Sequence, residues 1–205
     1  MVDTLTQDTA GRYVSWNADG GSAWNNQPTI TSTNNENLKN LSLGALVEKG
    51  KSFTVYFAIS ASGSLDGYIW FLDGSTGKQF VVKELASTAN KLIYHIYASG
   101  PSWSAGLTID RPANSRTYLC VRSDGADLTI SANDRTAHEI IDVAWNTNRD
   151  TGPLDNDDGN FFARSNLTND WNGVCGGIWV YDEYHSDTTV EKAEAYLQSQ
   201  FGAPT

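Results

Sequence analysis

Tryptophan directly precedes asparagine in the stretches SWNADGGSAWNNQ and TNDWNG, and this pairing is suited to sugar binding. An exposed indole ring can stack on the apolar face of a pyranose, while an asparagine amide can both donate to and accept from sugar hydroxyls. Tryptophan also fills the ends of β-sandwich cores, so burial is the alternative interpretation. The candidates for a glycan-binding platform are Trp16, Asn17, Trp24, Asn25, Trp171 and Asn172.

One acidic stretch, DTGPLDNDDGN, has the composition of a metal-binding loop. Its aspartates offer the hard oxygen ligands that Ca²⁺ prefers, on a segment that contains glycine. The glycine and glutamate of an EF-hand loop do not fall into register here, and a solvated acidic turn is the alternative interpretation. Ca²⁺ is therefore the only cofactor that the sequence suggests, and its candidate ligands are Asp150, Asp155, Asp157 and Asp158.

The carboxylates are not spaced for glycoside hydrolysis, which uses two of them on either side of one glycosidic bond. In an extended strand, only residues i, i+2 and i+4 share a face. Glu139 and Asp142 are three positions apart in HEIIDVAW, so we expect them on opposite faces. Asp182, Glu183 and His185 lie together in YDEYHSD, but the histidines have no recognisable serine or cysteine partner. The sequence therefore predicts a protein that is not an enzyme and has no catalytic residues.

The composition argues against two classes of partner. The chain of 205 residues has a net charge of −10. Nucleic acids and anionic membranes are bound through clustered lysine and arginine side chains, so we expect neither as a partner. A hydrophobic content of 40% and an aromatic content of 11% suffice for one core. We predict a single domain over residues 1–205, with residues 1–12 as a candidate extended N-terminal arm.

The N-terminal stretch MVDTLTQDTAGRY lacks the basic and apolar regions of a secretory signal. No run approaches the roughly 20 apolar residues of a membrane-spanning helix. We therefore expect synthesis and folding in a cytoplasm.

Cys120 and Cys175 each lie in an apolar, strand-like run. Two reduced thiols in the core are the preferred interpretation, and one disulfide that joins two strands is the alternative.

Strand-like segments recur at short and fairly even intervals, which is typical of a β-sandwich. Asp124 and Gly125 separate two of these segments and predict a hairpin turn. The segment KSFTVYFAIS alternates apolar and other residues, so one face is expected to carry Phe53, Val55, Phe57 and Ile59. The chain is therefore predicted to be all-β.

One helix is predicted near the C-terminus. Ser186 or Asp187 can cap its N-terminus, and Gly202 stands where a left-handed C-cap residue is expected. A spacing of i, i+3, i+7 and i+11 forms one apolar face from Val190, Ala193, Leu197 and Phe201. The residues expected away from this face are Glu191, Lys192, Glu194 and Gln198. Because so short a helix is marginal alone, we expect it to pack on the sandwich.

The closing segment resembles the C-terminal signature of concanavalin A-like lectin/glucanase domains, especially the laminin-G-like jelly rolls of bacterial and phage proteins. The residues that carry the resemblance are Gly176, Gly177, Ile178, Val180, Tyr181, Asp182, Ser186, Asp187, Glu194, Ala195, Tyr196, Leu197, Phe201 and Gly202. The resemblance implies a two-sheet antiparallel jelly-roll sandwich in which one sheet is concave and one short C-terminal helix follows. It implies no single function, because such folds include lectins, glucanases, adhesion modules and virion proteins.

Three functions are compatible with these observations. The first is a non-catalytic structural or interaction protein on a phage virion, either decorating the capsid or associated with the tail, with protein partners in that assembly. The second is a carbohydrate-binding module or lectin that binds glycans by tryptophan stacking, assisted by Ca²⁺. The third, a glycoside hydrolase, is the remote alternative. The first places the protein on the virion surface after synthesis in the host cytoplasm, and the second allows an extracellular location. A homo-oligomer is compatible with either.

Overall fold

Two antiparallel β-sheets pack face to face, and one helix lies on the outer face of the larger sheet. This computed structural model describes residues 15–33, 38–40, 50–61, 67–73, 79–86, 91–98, 105–110, 115–133, 135, 139–142, 159–162 and 171–205. The candidate N-terminal arm, residues 1–12, lies outside the described residues.

The larger sheet contains seven described strands. In spatial order they are β1 (Ser15–Asn17), β2 (Thr29–Ser32), β13 (Gly173–Tyr181), β4 (Ser52–Ala61), β9 (Arg116–Asp124), β10 (Leu128–Ala132) and β11 (Glu139–Asp142). The smaller sheet contains six described strands. Their order is β3 (Leu38–Asn40), β12 (Gly159–Phe161), β5 (Gly67–Asp73), β6 (Gln79–Ala86), β7 (Lys91–Ala98) and β8 (Ala105–Asp110).

Early and late strands alternate in both sheets. In the larger sheet β13 lies between β2 and β4, and in the smaller sheet β12 lies between β3 and β5. Every described strand pair is antiparallel. The predicted fold class, an all-β two-sheet antiparallel jelly-roll sandwich with one short C-terminal helix, is therefore confirmed.

Strand β4 separates two hydrophobic clusters, one on each face of the larger sheet. Its inner face carries the predicted set Phe53, Val55, Phe57 and Ile59, all of which are buried in the main core between the sheets. Its outer face carries Tyr56 and Ala58, which are buried beneath the helix. The period of two in the sequence thus predicted the sidedness of this strand correctly.

A β-bulge at Gly176 changes the sidedness of β13. The register with β4 shifts between Cys175 and Gly177, so that Cys175 packs in the main core and Trp179 packs beneath the helix. A Cβ atom at Gly176 would lie 2.9 Å from ring atoms of both Trp24 and Phe201. Glycine is therefore required where these two rings approach the strand closely.

Helix α1 (Asp187–Phe201) begins and ends much as the sequence predicts. The Ser186 side chain accepts a hydrogen bond from the backbone N–H of Thr189, which makes Ser186 the N-cap. At the other end Gly202 has the expected positive φ of 95°, but its ψ of 163° lies outside the left-handed helical region. The chain consequently turns away from the helix axis and crosses the outer face of the sheet.

The buried face of α1 is wider than the pattern predicts. Val190, Leu197 and Phe201 are buried as expected, and Ala193 packs partly against the same cluster. Glu194 was expected away from this face, but it is also buried. The prediction for Glu194 was wrong because, at 100° per residue, its position lies about 40° from Val190 and about 20° from Phe201 around the helix axis.

The two cysteines are free and lie in different clusters. Cys120 belongs to the cluster beneath the helix, whereas Cys175 belongs to the main core on the other side of the sheet. Burial raises the pKa of the Cys175 thiol to about 12 and also raises that of Cys120. Both side chains therefore act as small reduced core residues, as the sequence favoured.

The Asp124-Gly125 hairpin is also confirmed. Strands β9 and β10 pair antiparallel, and the Asp124 carboxylate accepts hydrogen bonds from the backbone N–H groups of Ala126 and Asp127.

Within the described part of the chain, no helix has the length and apolar character required to span a membrane.

The packing of α1 predicts a large difference between two neighbouring substitutions. Leu197→Ala removes a buried side chain and should lower the free energy of unfolding by about 2–5 kcal/mol, since a cavity remains between helix and sheet. Tyr196→Ala removes a ring that is mostly exposed to solvent and should change the free energy of unfolding by less than about 0.5 kcal/mol. Urea denaturation followed by tryptophan fluorescence measures both, and equal effects would contradict the described packing.

Candidate functional site

Two arginines on strand β9 hold the two ends of α1 against the sheet. Arg116 and Arg122 are six positions apart, so both point to the outer face. Both are nearly buried, with 7% and 2% of their surfaces exposed. They have different partners, and that difference distinguishes the two ends of the outer face.

Arg122 is bound by charged groups. Its guanidinium donates to the Asp187 carboxylate, to the Glu139 carboxylate at 3.1 Å and to the carbonyl oxygen of His185 at 2.6 Å. Arg135 extends the network, because it contacts Glu139 and Asp187 as well. The bonds from Arg122 hold the pKa of Asp187 below its ordinary value. This end of the outer face is a compensated ion-pair network around the helix N-terminus.

Glu139, one of the nearest candidates for a catalytic carboxylate, is part of this network. Register places Glu139 opposite Ser131 and Asp142 opposite Leu128, two positions of β10 on opposite faces of the sheet. Glu139 and Asp142 therefore occupy register positions on different faces of the sheet, as their spacing predicts, and the side chain of Asp142 lies outside the described residues. Glu139 binds two arginines and stabilises the sheet edge.

Arg116 is bound by backbone dipoles instead. Its Nε donates to the carbonyl oxygen of Ala203 at 3.1 Å, and its terminal nitrogens donate to the carbonyl oxygens of Ala203 and Ala23. Its backbone N–H donates to the Thr205 hydroxyl at 2.8 Å. The guanidinium also lies 5.7 Å from the ring centroid of Trp24. Arg116 thus ties the segment after α1 to the turn that precedes β2.

A pocket of about 560 Å³ opens beside Arg116. We call it the outer pocket. It is lined by Ser22, Ala23, Trp24, Thr31, Ser60, Arg116, Asn172, Gly173, Val174 and Thr205. Its volume lies within the usual range of ligand sites.

Strand register builds the floor of the outer pocket. Thr31 on β2 is opposite Val174 on β13, Val174 is opposite Ser60 on β4, and Ser60 is opposite Arg116 on β9. Four neighbouring strands therefore place one side chain each in a row across the outer face. The short 3₁₀ turn Ser22–Trp24 forms one wall, and Thr205 forms another.

The outer pocket brings together two of the predicted platform residues, Trp24 and Asn172. A third, Asn17, is adjacent, because its amide donates to the Thr31 hydroxyl at 3.2 Å. Asn25 is exposed with a φ of 50° and does not line the pocket. Trp16 is 65% exposed at the edge strand β1, opposite Ile30 and hence on the other face from Asn17.

Two tryptophans in the predicted platform are core residues. Trp24 is 5% exposed, because it packs edge-on against Phe201 beneath the helix. Trp171 is 1% exposed and stacks on Phe162 in the main core, with ring centroids 5.0 Å apart. Neither ring offers a free face to a sugar, so the prediction of stacking on Trp24 and Trp171 was wrong. The alternative interpretation of tryptophan as core filling holds for both.

The candidate Ca²⁺ ligands Asp150, Asp155, Asp157 and Asp158 lie outside the described residues. In the described part of the chain, no three histidine, cysteine or acidic side chains cluster closely enough to hold a metal ion. The Ca²⁺ prediction stays a prediction.

Tyr56, Glu183 and His185 meet beside α1. The Tyr56 hydroxyl lies 2.9 Å from Nδ1 of His185, and Nε2 of His185 lies 3.4 Å from the Glu183 carboxylate. Burial raises the pKa of Tyr56 above its ordinary value, which keeps the phenol protonated at neutral pH. Thr54 adds hydrogen bonds to the backbone of Glu183 and His185. These contacts hold the segment that precedes α1 against strand β4.

Next to it is a shallow groove of about 70 Å³ lined by Tyr56, Trp179, Tyr181, Ala193, Tyr196 and Leu197. It is smaller than the outer pocket, and four of its six lining residues are aromatic. Of these rings, Tyr181 and Tyr196 are exposed.

Sequence reasoning did not single out Arg116, Thr31, Ser60 or Thr205. One signal was available, since arginine occurs twice, six positions apart, in the otherwise largely apolar stretch RTYLCVR. Two arginines on one face of a strand in an apolar stretch indicate that this face offers partners for charged side chains. No local pattern marks the serine and threonines, which meet only through strand register and the path of the C-terminal segment.

Comparison with known proteins yields structural relatives only. No protein-family model matches the chain, and no curated protein matches it. Domain 4 of an extracellular arabinanase from Geobacillus stearothermophilus, in complex with arabinotriose, is similar with a TM-score of 0.65 and 11% identity, over 92% of this chain and 86% of that one. Tailspike protein 2 of an Escherichia coli O157:H7 bacteriophage is similar with a TM-score of 0.62 and 14% identity, over 100% of this chain.

A third similar structure is the binding domain of Botulinum neurotoxin DC in complex with SialylT. Its TM-score is 0.57 at 11% identity, over 91% of this chain and 45% of that one. The present chain spans only 30% of the tailspike chain. Identities this low show a shared β-sandwich fold and nothing finer. The class of protein is therefore a two-sheet β-sandwich domain, and the resemblance to the concanavalin A-like superfamily stays a prediction.

The Arg122 network predicts a pH-dependent effect of Asp187→Asn. Because the pKa of Asp187 is lowered by folding, its ion pair stabilises the protein at neutral pH and ceases to do so as pH falls through the carboxyl range. The variant should melt about 1–4 °C below the parent at pH 7, with the difference vanishing near pH 2. Thermal melts across this range measure it. Asp182→Asn, which changes an exposed carboxylate, is the control, and a constant difference at all pH values would contradict the assignment.

Proposed function

We propose that this chain is a non-catalytic, glycan-binding β-sandwich of the concanavalin A-like type and that it binds a saccharide in the outer pocket. The observation that carries the proposal is the lining of this pocket. Four hydroxyl groups, one primary amide and one guanidinium surround it, and none of its described lining side chains is a carboxylate. The side chains in question are Ser22, Thr31, Ser60, Thr205, Asn172 and Arg116.

Such a lining suits the hydrogen-bonding pattern of a sugar. Each sugar hydroxyl both donates and accepts, and the serine, threonine and asparagine side chains do the same. Val174 and the edge of Trp24 add apolar surface against which the C–H groups of a sugar ring can pack. A polar pocket on a rigid sheet also loses little conformational freedom on binding, because strand pairing already positions its floor.

Two of the structural relatives support the proposal. The arabinanase domain was solved with arabinotriose, and the neurotoxin binding domain was solved with SialylT. Arabinotriose and SialylT are ligands of those two proteins and are not assigned to this chain. The two structures support the proposal because they show that a β-sandwich fold of this kind can carry a saccharide site in sequences of low identity.

The non-catalytic part of the proposal rests on the carboxylates. Hydrolysis would need an acid and a second carboxylate facing the same bond. Glu139 is bound to Arg122 and Arg135 at the other end of β9, so it is not available to a ligand in the outer pocket. The proposal therefore assigns binding, and no bond cleavage, to this pocket.

A glycan array followed by calorimetry tests the proposal. The parent chain should bind a subset of saccharides, and Asn172→Ala should weaken that binding by about tenfold or more, the effect of losing one or two hydrogen bonds. A parallel array with EDTA tests the Ca²⁺ prediction, because loss of binding on chelation would identify a metal-assisted lectin. Absence of binding to every glycan would overturn the proposal.

The matched control is Asn25→Gly. Asn25 was in the predicted platform but does not line the outer pocket, and glycine tolerates its positive φ. This variant should bind like the parent chain. If Asn25→Gly lost binding while Asn172→Ala kept it, the ligand would lie on the exposed surface around Asn25, and the outer pocket would be the wrong site.

A second candidate function is that of a phage virion subunit, in the capsid decoration or the tail. The observation that favours it is the tailspike protein, to which this chain is similar over 100% of its length. The two candidates are compatible, since a subunit on the particle surface can also bind a host glycan. Its partners would then be other subunits of the particle, or further copies of this chain.

Particle purification tests the second candidate. Density-gradient fractions of the source phage should contain the chain at constant stoichiometry with the major particle proteins when probed with an antibody. Light scattering of the purified chain measures whether it forms an oligomer alone. If the chain stays at the top of the gradient while particles sediment, the virion assignment is wrong, and the glycan-binding proposal is unaffected.

A further inference from the structure

We infer that the outer pocket selects saccharides that carry an anionic group, such as a carboxylate, sulfate or phosphate. The inference rests on the proposed function and adds the class of ligand. It depends on Arg116, the buried cation at the edge of the pocket, and on how its charge is compensated.

The two arginines of β9 provide an internal comparison. Arg122 lies within hydrogen-bonding distance of the carboxylates of Glu139 and Asp187. Arg116 is similarly buried, but no described carboxylate side chain pairs with it. Its guanidinium donates to the carbonyl oxygens of Ala23 and Ala203, lies over the ring of Trp24 and interacts with the Tyr118 hydroxyl. One guanidinium therefore has counter-charges within its own network, whereas the other is surrounded by neutral dipoles.

Burial of a cation without a counter-ion is unfavourable in proteins. An arginine buried in this way is therefore expected where its charge contributes to function. The carbonyl contacts use three of the guanidinium's five N–H groups. Arg116 lines the outer pocket, so its positive charge is close to any ligand there. Planar N–H groups of arginine match the geometry of carboxylate and phosphate oxygens.

The rest of the pocket is compatible with an anion. No described side chain in its lining is acidic, although the chain as a whole has a net charge of −10. Acidic side chains elsewhere are screened over about one Debye length, roughly 8 Å at physiological salt. A ligand anion in the pocket therefore interacts most strongly with Arg116, while the hydroxyls and the amide bind its sugar ring.

Matched glycan pairs test the inference. The pairs should share one backbone and differ only in the anionic group: sialylated against desialylated, sulfated against desulfated, and uronate-containing against carboxyl-reduced. We expect at least tenfold tighter binding of the acidic member in at least one pair, and the pair that responds identifies the anion. Tighter or equal binding of the neutral members would overturn the inference while leaving glycan binding intact. No binding of any member would overturn both.

Asn172→Asp locates the effect in the pocket. The substitution is isosteric and adds one negative charge to the wall without removing a described hydrogen bond. It should weaken binding of the acidic glycan at least tenfold more than binding of its neutral partner. Asn172→Ala, by contrast, should weaken both members similarly, since it removes the amide and adds no charge.

Gln200→Glu is the matched charge control, because it adds the same charge on the helix and outside the pocket lining. It should change the affinity for either glycan by less than about twofold. If Gln200→Glu and Asn172→Asp weakened acidic binding equally, the effect would come from net charge, and the assignment to Arg116 would be wrong. Arg116 itself is left unchanged in these variants, because it also holds the C-terminal segment.

Discussion

The attachment of α1 to the outer face of the larger sheet is the constraint on which the rest of the structure depends. Strand β9 supplies it through alternate residues, with an arginine at each end and Tyr118 and Cys120 between them. Arg122 binds the N-terminal end of the helix through Asp187, and Arg116 binds the segment that follows its C-terminal end. The Tyr118 hydroxyl donates to the carbonyl oxygen of Gly202, so the strand contacts the exit from the helix as well. The helix adds a second hydrophobic cluster to a sheet whose other face already forms the main core.

This attachment also explains where a ligand can bind. The helix covers the outer face over the middle of β4, β9 and β13, and the segment after it turns at Gly202 toward Arg116. A Cβ atom at Gly202 would lie 2.8 Å from the Arg116 guanidinium, so glycine permits the approach. The outer pocket is the part of the face left between this segment and the 3₁₀ turn around Trp24. The contacts that attach α1 therefore cover the apolar part of the outer face and leave the polar residues of the outer pocket accessible.

The sequence allowed good predictions wherever local periodicity decides the structure. The alternation in β4, the hairpin at Asp124 and the N-cap at Ser186 are all properties of short segments, and the structure confirms each of them. The glycan platform was predicted less well. Tryptophan next to asparagine is a local pattern, but burial depends on what packs above the ring. Phe201 covers Trp24 from the other end of the chain, and Phe162, which directly follows β12, covers Trp171. Asn172 lines the outer pocket because it is one position beyond a buried residue in an extended segment.

By itself, the sequence determined the fold class, the closing helix and its apolar face, and the reduced state favoured for the two cysteines. These follow from composition, from periods of two and 3.6 residues, and from capping chemistry, which act over a few neighbouring residues. Only the tertiary structure decided that Arg122 is neutralised by carboxylates while Arg116 contacts carbonyl oxygens. It alone also decided that Thr31, Ser60 and Thr205 share a pocket. The physical reason is that strand register and the path of the segment after α1 join residues far apart in the chain, and no local pattern records which distant side chains will meet.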